Sequence, residues 1–490
     1  MDHILYWNNV ALEANRRDFS NVPGTDNPNP KPEQGGPTLS SRALAIVHLA
    51  MYDAHAGVIS NPATLPRYLA SPSAPVGGAS AAASVAAAAH ACLSALYPRQ
   101  KHHFDAAHQA AGLSGAGLAE GHGFGLAVAT AILADRAKDP GAGDDGYAAS
   151  MHPGGHRPDP ANPKQGFHAP FYGARSKGFA ITKRHELDKP PALGSGEYNK
   201  ALKQVRGKGI APEWIGTLPD HLEKRTPEET LIGLYWAYDG PREIGTPPRF
   251  FNQIIRKLVT TAINPATGMI NTVDDNARLF AFVNVTMGDA GILAWDQKYI
   301  HDFWRPVLGI REHSASMGPA APTPSHAIGD DCDPCWLPLG APASNSNDRN
   351  FTPPFPAYPS GHATFGAAAL HVTRLFYGIA HNNRATDKLF KRSLVSDELN
   401  GITHDNAGNV RSRHARHFPG GLWQMIVENG FSRVFLGVHW SFDAFALDNA
   451  NKPDLTRNIG GVPLGLAIAE DIFAAGGGKA PAKSCVEPRP

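Results

Sequence analysis

The segment Pro359-Ser-Gly-His-Ala-Thr-Phe-Gly-Ala-Ala-Ala369 has the form of a helix that begins at a capping serine. The first N–H groups of a helix have no partner within it, and the helix dipole there favours negative charge. Gly361 would let an anion approach the backbone closely, Ser360 would add a hydroxyl donor, and His362 would lie within reach of that anion. Ser-Gly-His is also an ordinary helix start, so this segment alone leaves both interpretations open.

A basic pair precedes this segment in the chain. Lys298 and Arg305 are seven residues apart, close to two helical turns, so we expect both side chains on one face of a helix. Arginine offers a planar fork to two oxygens, whereas lysine offers a point charge. A solvated basic face would have the same spacing, but the neighbouring Trp295, Phe303 and Trp304 argue against free solvation.

A third cluster follows the segment. Ser432-Arg433 is followed by His439 six residues after the arginine and by Asp443 four residues later. At that spacing the carboxylate can accept a hydrogen bond from one ring nitrogen, which fixes the tautomer and leaves the other nitrogen as a ligand or nucleophile. Together the three clusters supply cations, an exposed helix start, two imidazoles and a carboxylate. That set can hold a small tetrahedral oxyanion.

Composition limits the classes of function. The chain has 490 residues and a formal net charge of +1, so nothing suggests binding to nucleic acid or to an anionic membrane. The 50 glycines and 42 prolines predict long ordered loops. The sequence has no uncharged apolar run of about 18 residues, the length that a membrane-spanning helix needs. The N-terminus has no classical signal peptide, which leaves the location of the protein open.

The four cysteines are too few for a disulfide scaffold. Cys92 is expected in a helix core, and Cys485 is expected at the surface. Cys332 and Cys335 form one CxxC pair in a loop, and three states remain open for it: two free thiols, a local disulfide, or part of a zinc site that would need two further ligands.

Helical periodicity dominates the chain, and period-2 alternation is nearly absent, so we predict an all-α fold. A Ser40-Ser41 cap is predicted to open the first helix, over 42–53. We divide the chain into an N-terminal helical part, 1–225, and a C-terminal helical part that carries the site, 226–490. Residues 138–226 and 313–358 are predicted to be mostly irregular, with a short helix near 198–205. The other predicted helices are 80–96, 99–112, 116–137, 227–238, 247–263, 273–294, 297–311, 361–378, 420–437, 439–448 and 461–475.

The three clusters, in this order and spacing, resemble the signature shared by vanadium-dependent haloperoxidases and type 2 phosphatidic acid phosphatases. Longer stretches resemble the fungal-type vanadium chloroperoxidases, and they cover most of the chain. The irregular stretch 138–226 and the loop around Cys332 and Cys335 depart from that pattern. The resembling stretches are 4–12, 39–44, 235–240, 244–250, 340–348, 351–366 and 435–440.

This resemblance implies two four-helix bundles, with vanadate bound through His439 in the second one. It implies that His362 is the acid–base residue and that Lys298 is also catalytic, donating to a peroxide oxygen. It further implies that Asp443 orients His439 and that Asp239 pairs with Arg433. The groups that it implies around the vanadate oxygens are Lys298, Arg305, Arg433, Ser360 and the backbone N–H of Gly361.

The resemblance also implies a reaction. Hydrogen peroxide would oxidise bromide, and we expect chloride as well, to hypohalous acid beside a halide pocket of Trp295 and Phe355. Aromatic carbon at these two positions is similar to the fungal-type chloroperoxidases, whereas relatives limited to bromide resemble one another in carrying histidine at the position of Phe355. A small organic acceptor is a further partner to consider, and the oligomeric state stays open.

Two other interpretations use the same residues. A soluble acid phosphatase would hold a phosphoryl group in the same site, with His439 attacking phosphorus to form a phosphohistidine. A non-catalytic oxyanion-binding protein would explain neither His362 nor the His439–Asp443 pair.

Overall fold

Fourteen α-helices form the framework of the part of the chain that the computed structural model describes, residues 2–20, 31–75, 77–144, 146–319, 321 and 331–489. They are α1 (His3–Asp18), α2 (Gly36–Ile59), α3 (Ala81–Leu96), α4 (Lys101–Ala110), α5 (Leu118–Asp135), α6 (Tyr172–Arg175), α7 (Gly196–Lys208), α8 (Pro227–Tyr235), α9 (Pro247–Leu258), α10 (Val273–His301), α11 (Pro306–Arg311), α12 (Gly361–Phe376), α13 (Gly421–Phe435) and α14 (Gly461–Ala475).

Strands contribute very little to this framework. Within the described ranges there are two antiparallel pairs of two-residue strands, β1 (Leu394–Val395) with β2 (Ala415–Arg416), and β3 (Ala446–Leu447) with β4 (Pro453–Asp454). The predicted all-α class is therefore confirmed.

Helix α10 is the central element of the packing. It contacts α2 on the N-terminal side and α12 and α14 on the C-terminal side, while α3 and α5 pack on α2, and α13 packs on α12. By length and composition α10 could cross a membrane, but 94% of its most apolar window is buried by the rest of the protein. One large apolar core runs through these helices, and a small separate cluster consists of Ala237, Leu436 and Val438. The division of the chain near residue 226 stays a prediction.

The first two helices differ from prediction. Helix α1 was not predicted; it begins after Asp2, whose carboxylate accepts a backbone N–H of the first turn at 2.9 Å. Helix α2 has Pro37 in its first turn, where the missing N–H costs nothing. The predicted Ser40-Ser41 cap is therefore wrong, because both serines lie inside α2.

The predicted helix break before Lys298 is also wrong. Helix α10 continues through Lys298 to His301 and ends at Asp302, which has a left-handed backbone with φ of 46°. Arg305 directly precedes Pro306 and is extended, since the residue before a proline is disfavoured in the α conformation. Lys298 and Arg305 therefore do not share a helix face; they reach the same place from two elements.

The helix predicted over 439–448 is absent. A short 3₁₀ turn, Ser441–Asp443, takes its place, and β3 follows. The Asp443 carboxylate accepts the backbone N–H of Trp440 at 3.0 Å. A local hydrogen bond of this kind, from the backbone to a nearby side chain, favours a turn or a cap over a helix interior. The remaining predicted helices are present, with ends that move by a few residues.

The long connection predicted over 138–226 contains α6, α7 and a 3₁₀ helix, Pro212–Thr217. Part of this connection supports the end of α10. Gly155 forms a β-bridge with Phe303, and the His156 backbone N–H donates to the Asp302 carbonyl at 2.9 Å. The irregular segment thus fixes the backbone that presents Arg305.

All four cysteines are free thiols in the structure, with Cys332 buried and Cys335 exposed. The Cys332 thiol donates to the Arg311 carbonyl at 3.3 Å. Within the described ranges, no group of three or more His, Cys, Asp or Glu side chains could hold a metal ion.

Candidate active site

The three predicted clusters come together in the interior. Lys298 comes from the last turn of α10, His362 from the first turn of α12, and Arg433 from the last turn of α13. Arg305 and His439 come from the connections that follow α10 and α13. All five side chains are buried.

Lys298 is bound by the segment that leads into α12. Its ammonium group donates to the carbonyls of Pro356 (2.7 Å), Ala357 (3.0 Å) and Pro359 (2.5 Å). Burial, with the nearby positive charge of Arg305, lowers the pKa of Lys298 well below its usual range. An anion beside Lys298 would favour its charged form.

Arg305 lies between the α12 segment and His439. Its Nε donates to the Phe355 carbonyl at 2.8 Å, and its Nη1 donates to the Val438 carbonyl at 2.7 Å. Nη1 also lies 2.9 Å from Nε2 of His439. Because a guanidinium only donates, that imidazole nitrogen is the acceptor and carries no proton. Burial lowers the pKa of Arg305 to about 9.

His439 has a defined tautomer. Its Nδ1–H donates to Oδ2 of Asp443 at 2.8 Å, so the lone pair is on Nε2. Burial, and then the charge of Arg305, lowers the pKa of His439 well below its usual range. Burial raises the pKa of Asp443 to about 7, against the opposing effect of Lys298 and Arg305. The pairing expected from the spacing is present, although the residues lie on a 3₁₀ turn.

Arg433 is held by a bidentate ion pair. Its Nη2 and Nη1 donate to the two carboxylate oxygens of Asp239 at 2.7 and 3.0 Å. Asp239 follows Tyr238, a non-glycine residue with a left-handed backbone at φ of 50°. The expected partner of Arg433 is therefore in place.

His362 faces the same segment. Its Nε2–H donates to the Ala237 carbonyl and lies 3.9 Å from Oδ1 of Asp239, which leaves Nδ1 as the basic nitrogen. Burial and then Arg433 lower the pKa of His362 to about 4, while Asp239 opposes that shift. The imidazole is thus neutral at physiological pH, and its Nδ1 has a lone pair that can accept a proton.

The start of α12 completes the site. The Ser360 hydroxyl oxygen accepts the Ala363 N–H at 3.4 Å, and the hydroxyl proton has no acceptor among the described residues. A Cβ on Gly361 would lie 3.2 Å from the Trp295 ring, so glycine leaves room between the helix start and that ring. We refer to Lys298, Arg305, Arg433, Ser360, Gly361 and His439 together as the cage.

The cage has unsatisfied donors and more basic than acidic side chains. Nη2 of Arg305 and Nε of Arg433 are buried and have no hydrogen-bond partner among the described residues. Buried polar groups are nearly always paired, so such donors mark a place for an acceptor. Three basic side chains, those of Lys298, Arg305 and Arg433, face two acidic ones, those of Asp239 and Asp443. A small oxyanion fits both the free N–H groups and this excess of basic groups.

Comparison with known proteins identifies the family. Residues 1–165 match the family "Vanadium chloroperoxidase N-terminal domain", and residues 278–452 match "VCPO second helical-bundle domain". The vanadium chloroperoxidase of Curvularia inaequalis is 36% identical, over 97% of this chain and 90% of that protein. The chain belongs to the vanadium chloroperoxidase family.

Solved structures of bacterial proteins share the fold of this vanadium chloroperoxidase family member. A vanadium-dependent iodoperoxidase has a TM-score of 0.59 at 17% identity, with 95% of each chain covered. An apo vanadium-dependent chloroperoxidase has a TM-score of 0.59 at 16% identity, covering 91% of this chain and 94% of the other. At these identities the likeness extends to the fold alone.

The cage of this family member opens into a cavity of about 180 Å³, which we call the inner cavity. Trp295 and Phe355 form an aromatic wall there, with ring centroids 4.8 Å apart. The Nζ of Lys298 lies 5.1 Å from the centroid of Phe355. The two residues of the predicted halide pocket therefore lie together beside the cage, and their role in halide binding stays a prediction.

Sequence reasoning missed His168, which also lines the inner cavity. Its ring lies 5.9 Å from that of Trp295, its Nε2 lies 3.0 Å from the Thr38 hydroxyl, and burial lowers its pKa to about 4. A Cβ on Gly36 would lie 2.3 Å from this ring, so glycine at that position makes room for it. His168 belongs to no motif, and only Gly36 could have indicated a close approach.

Proposed function

We propose that this protein is a vanadate-dependent haloperoxidase that uses hydrogen peroxide to oxidise bromide, and also chloride, to hypohalous acid. Family membership supports the vanadium haloperoxidase activity and the vanadate cofactor. The observation that carries the assignment within the site is the pair of free buried donors, Nη2 of Arg305 and Nε of Arg433, beside the unprotonated Nε2 of His439.

The cage residues divide into a ligand and oxygen-binding groups. In this proposal Nε2 of His439 binds vanadium, and Asp443 holds the imidazole in the ligating tautomer. Arg305, Arg433, Lys298, the Ser360 hydroxyl and the Gly361 N–H hold the oxygens. Bound vanadate supplies a Lewis acid that polarises a peroxide oxygen without a redox partner.

His362 supplies the proton transfer. Its basic nitrogen can take a proton from hydrogen peroxide as peroxide enters, and Asp239 at 3.9 Å stabilises the imidazolium that forms. The proton then leaves with the product water. The overall reaction is halide plus hydrogen peroxide plus one proton, giving hypohalous acid plus water.

The aromatic wall supports the proposal that chloride is a substrate. Chloride is harder to oxidise than bromide, so it needs a more electrophilic peroxide oxygen. The carbon surfaces of Trp295 and Phe355 limit water beside Lys298 and the arginines, which strengthens their electrostatic pull. The competing interpretation is that the two rings serve only to pack α10 and α12.

Steady-state assays with bromide and with chloride, across about pH 4–8, test this halide assignment. We expect bromide turnover throughout and measurable chloride turnover at mildly acidic pH. Bromide turnover without any chloride turnover in that range would leave a bromoperoxidase.

The phosphatase alternative is tested with the same preparations. Vanadate mimics phosphate, so an acid phosphatase would hydrolyse p-nitrophenyl phosphate without vanadate and would be inhibited by it. We expect instead that vanadate raises bromide-dependent halogenation and that phosphate competes with it. Phosphate ester hydrolysis without halogenation by the vanadate-loaded protein would reverse the assignment.

A further inference from the structure

A second, larger cavity lies outside the inner cavity. This outer chamber has a volume of about 760 Å³. Phe19 and Phe351 line both spaces, and Gly240 of the outer chamber directly follows Asp239 of the inner cavity. The outer chamber therefore lies next to the inner cavity, and the two spaces share the wall that Phe19 and Phe351 form.

Among the described residues that line the outer chamber, basic side chains outnumber acidic ones by one. The basic residues are Lys31, Arg242 and Arg349, and the acidic residues are Asp159 and Asp348. The Asp159 carboxylate is already engaged by two backbone N–H groups, at 2.8 and 3.3 Å. The side chains of Arg242 and Arg349 are exposed and have no hydrogen-bond or ion-pair partner among the described residues.

We propose that the outer chamber is an anion-collecting vestibule, in which Arg242 and Arg349 concentrate halide and vanadate on their way to the cage. The inference rests on the proposed function. In that reaction the halide enters as an anion, peroxide enters neutral, and hypohalous acid leaves neutral. Positive charge at the entrance therefore favours arrival of the halide without retaining the product.

The expected effect is modest and depends on salt. Two unit charges about 10 Å apart in water attract enough to change a local concentration about twofold, so two arginines together give about fourfold. The Debye length is about 30 Å at 0.01 M salt and about 3 Å at 1 M. The effect should therefore be present at low ionic strength and absent at high ionic strength.

The test compares variants whose charges change in opposite directions. Arg242→Gln/Arg349→Gln should lower kcat/KM for bromide about fourfold at low salt, and Asp348→Asn should raise it about twofold. In each variant kcat/KM for hydrogen peroxide, measured at saturating bromide, should stay unchanged. Lys391→Gln removes an exposed charge that does not line the chamber and serves as the control. A purely structural role for the arginines would not give these opposite changes.

A second readout does not depend on turnover. The rate of vanadate uptake by apo protein at low salt should fall in the double arginine variant, rise in Asp348→Asn, and stay at the wild-type value in Lys391→Gln. Equal uptake rates and equal bromide kcat/KM in all four proteins would overturn the vestibule. Absence of halogenation in wild-type protein would instead count against the proposed function, while the uptake rates would still test the vestibule.

Discussion

The ion pair between Asp239 and Arg433 gives the sharpest test of the oxyanion cage. The Asp239 carboxylate accepts two hydrogen bonds from Arg433, at 2.7 and 3.0 Å, and Asp239→Asn replaces it with an uncharged amide. Removing one partner of a buried ion pair leaves the other charge uncompensated and typically costs about 3–5 kcal/mol. We therefore expect the free energy of unfolding of the anion-free variant to fall by about that amount.

An oxyanion should reverse much of this loss. The freed guanidinium of Arg433 adds donors to a cage that already has unpartnered N–H groups, so the variant should bind phosphate or vanadate more tightly than the wild-type protein does. A ligand at a hundred times its Kd adds about 2.7 kcal/mol to stability. Urea unfolding with and without orthovanadate measures both effects.

A second buried ion pair supplies the matched control. Arg374 and Asp387 lie 3.0 Å apart, are fully buried and belong to no part of the cage. Asp387→Asn should also destabilise the protein, but vanadate should stabilise it no more than the wild-type protein. If vanadate stabilises Asp239→Asn no more than it stabilises wild-type protein, Arg433 does not face the oxyanion and the cage is wrongly assigned.

Four further outcomes follow from the site. His439→Ala should lose stable vanadate binding, whereas His362→Ala should keep it and lose turnover by about 10²–10⁴-fold; equal losses of affinity, measured by equilibrium dialysis, would contradict this division. Asp443→Ala should weaken vanadate binding by about 10–100-fold, and an unchanged Kd would mean that it does not support His439. The His362 pKa of about 4 in apo protein should rise when phosphate binds, because a nearby anion favours imidazolium; histidine NMR that records no rise would place the anion elsewhere. Phe355→His should lower the ratio of chloride to bromide kcat/KM, and an unchanged ratio would remove the aromatic wall from halide selection.

The sequence was most informative where chemistry depends on local spacing. The contact of His439 with Asp443 follows from their separation, and it forms even though the predicted helix there is a 3₁₀ turn. The start of α12 was predicted because a capping serine and a glycine are local signals. The all-α class followed from helical periodicity along the chain and from the near absence of period-2 alternation.

The sequence was least informative where the answer depends on tertiary packing. Lys298 and Arg305 were expected on one helix face, but Pro306 forces Arg305 into an extended conformation, and a long connection supports it there. His168 and Phe19 reach the inner cavity from distant parts of the chain, and no spacing rule connects them with Arg433. Tertiary packing brings the residues of the cavity wall together, so the sequence did not predict them. Most cage residues belong to short sequence motifs and could be predicted.

The most direct test of the central claim is to load apo protein with vanadate, remove free vanadate, and measure bound vanadium together with peroxide- and bromide-dependent halogenation. We predict that halogenation rises in proportion to bound vanadium up to one vanadium per chain, and that phosphate lowers both together. Halogenation by apo protein at the same rate as by the loaded protein would contradict it, and so would vanadium binding that His439→Ala leaves intact.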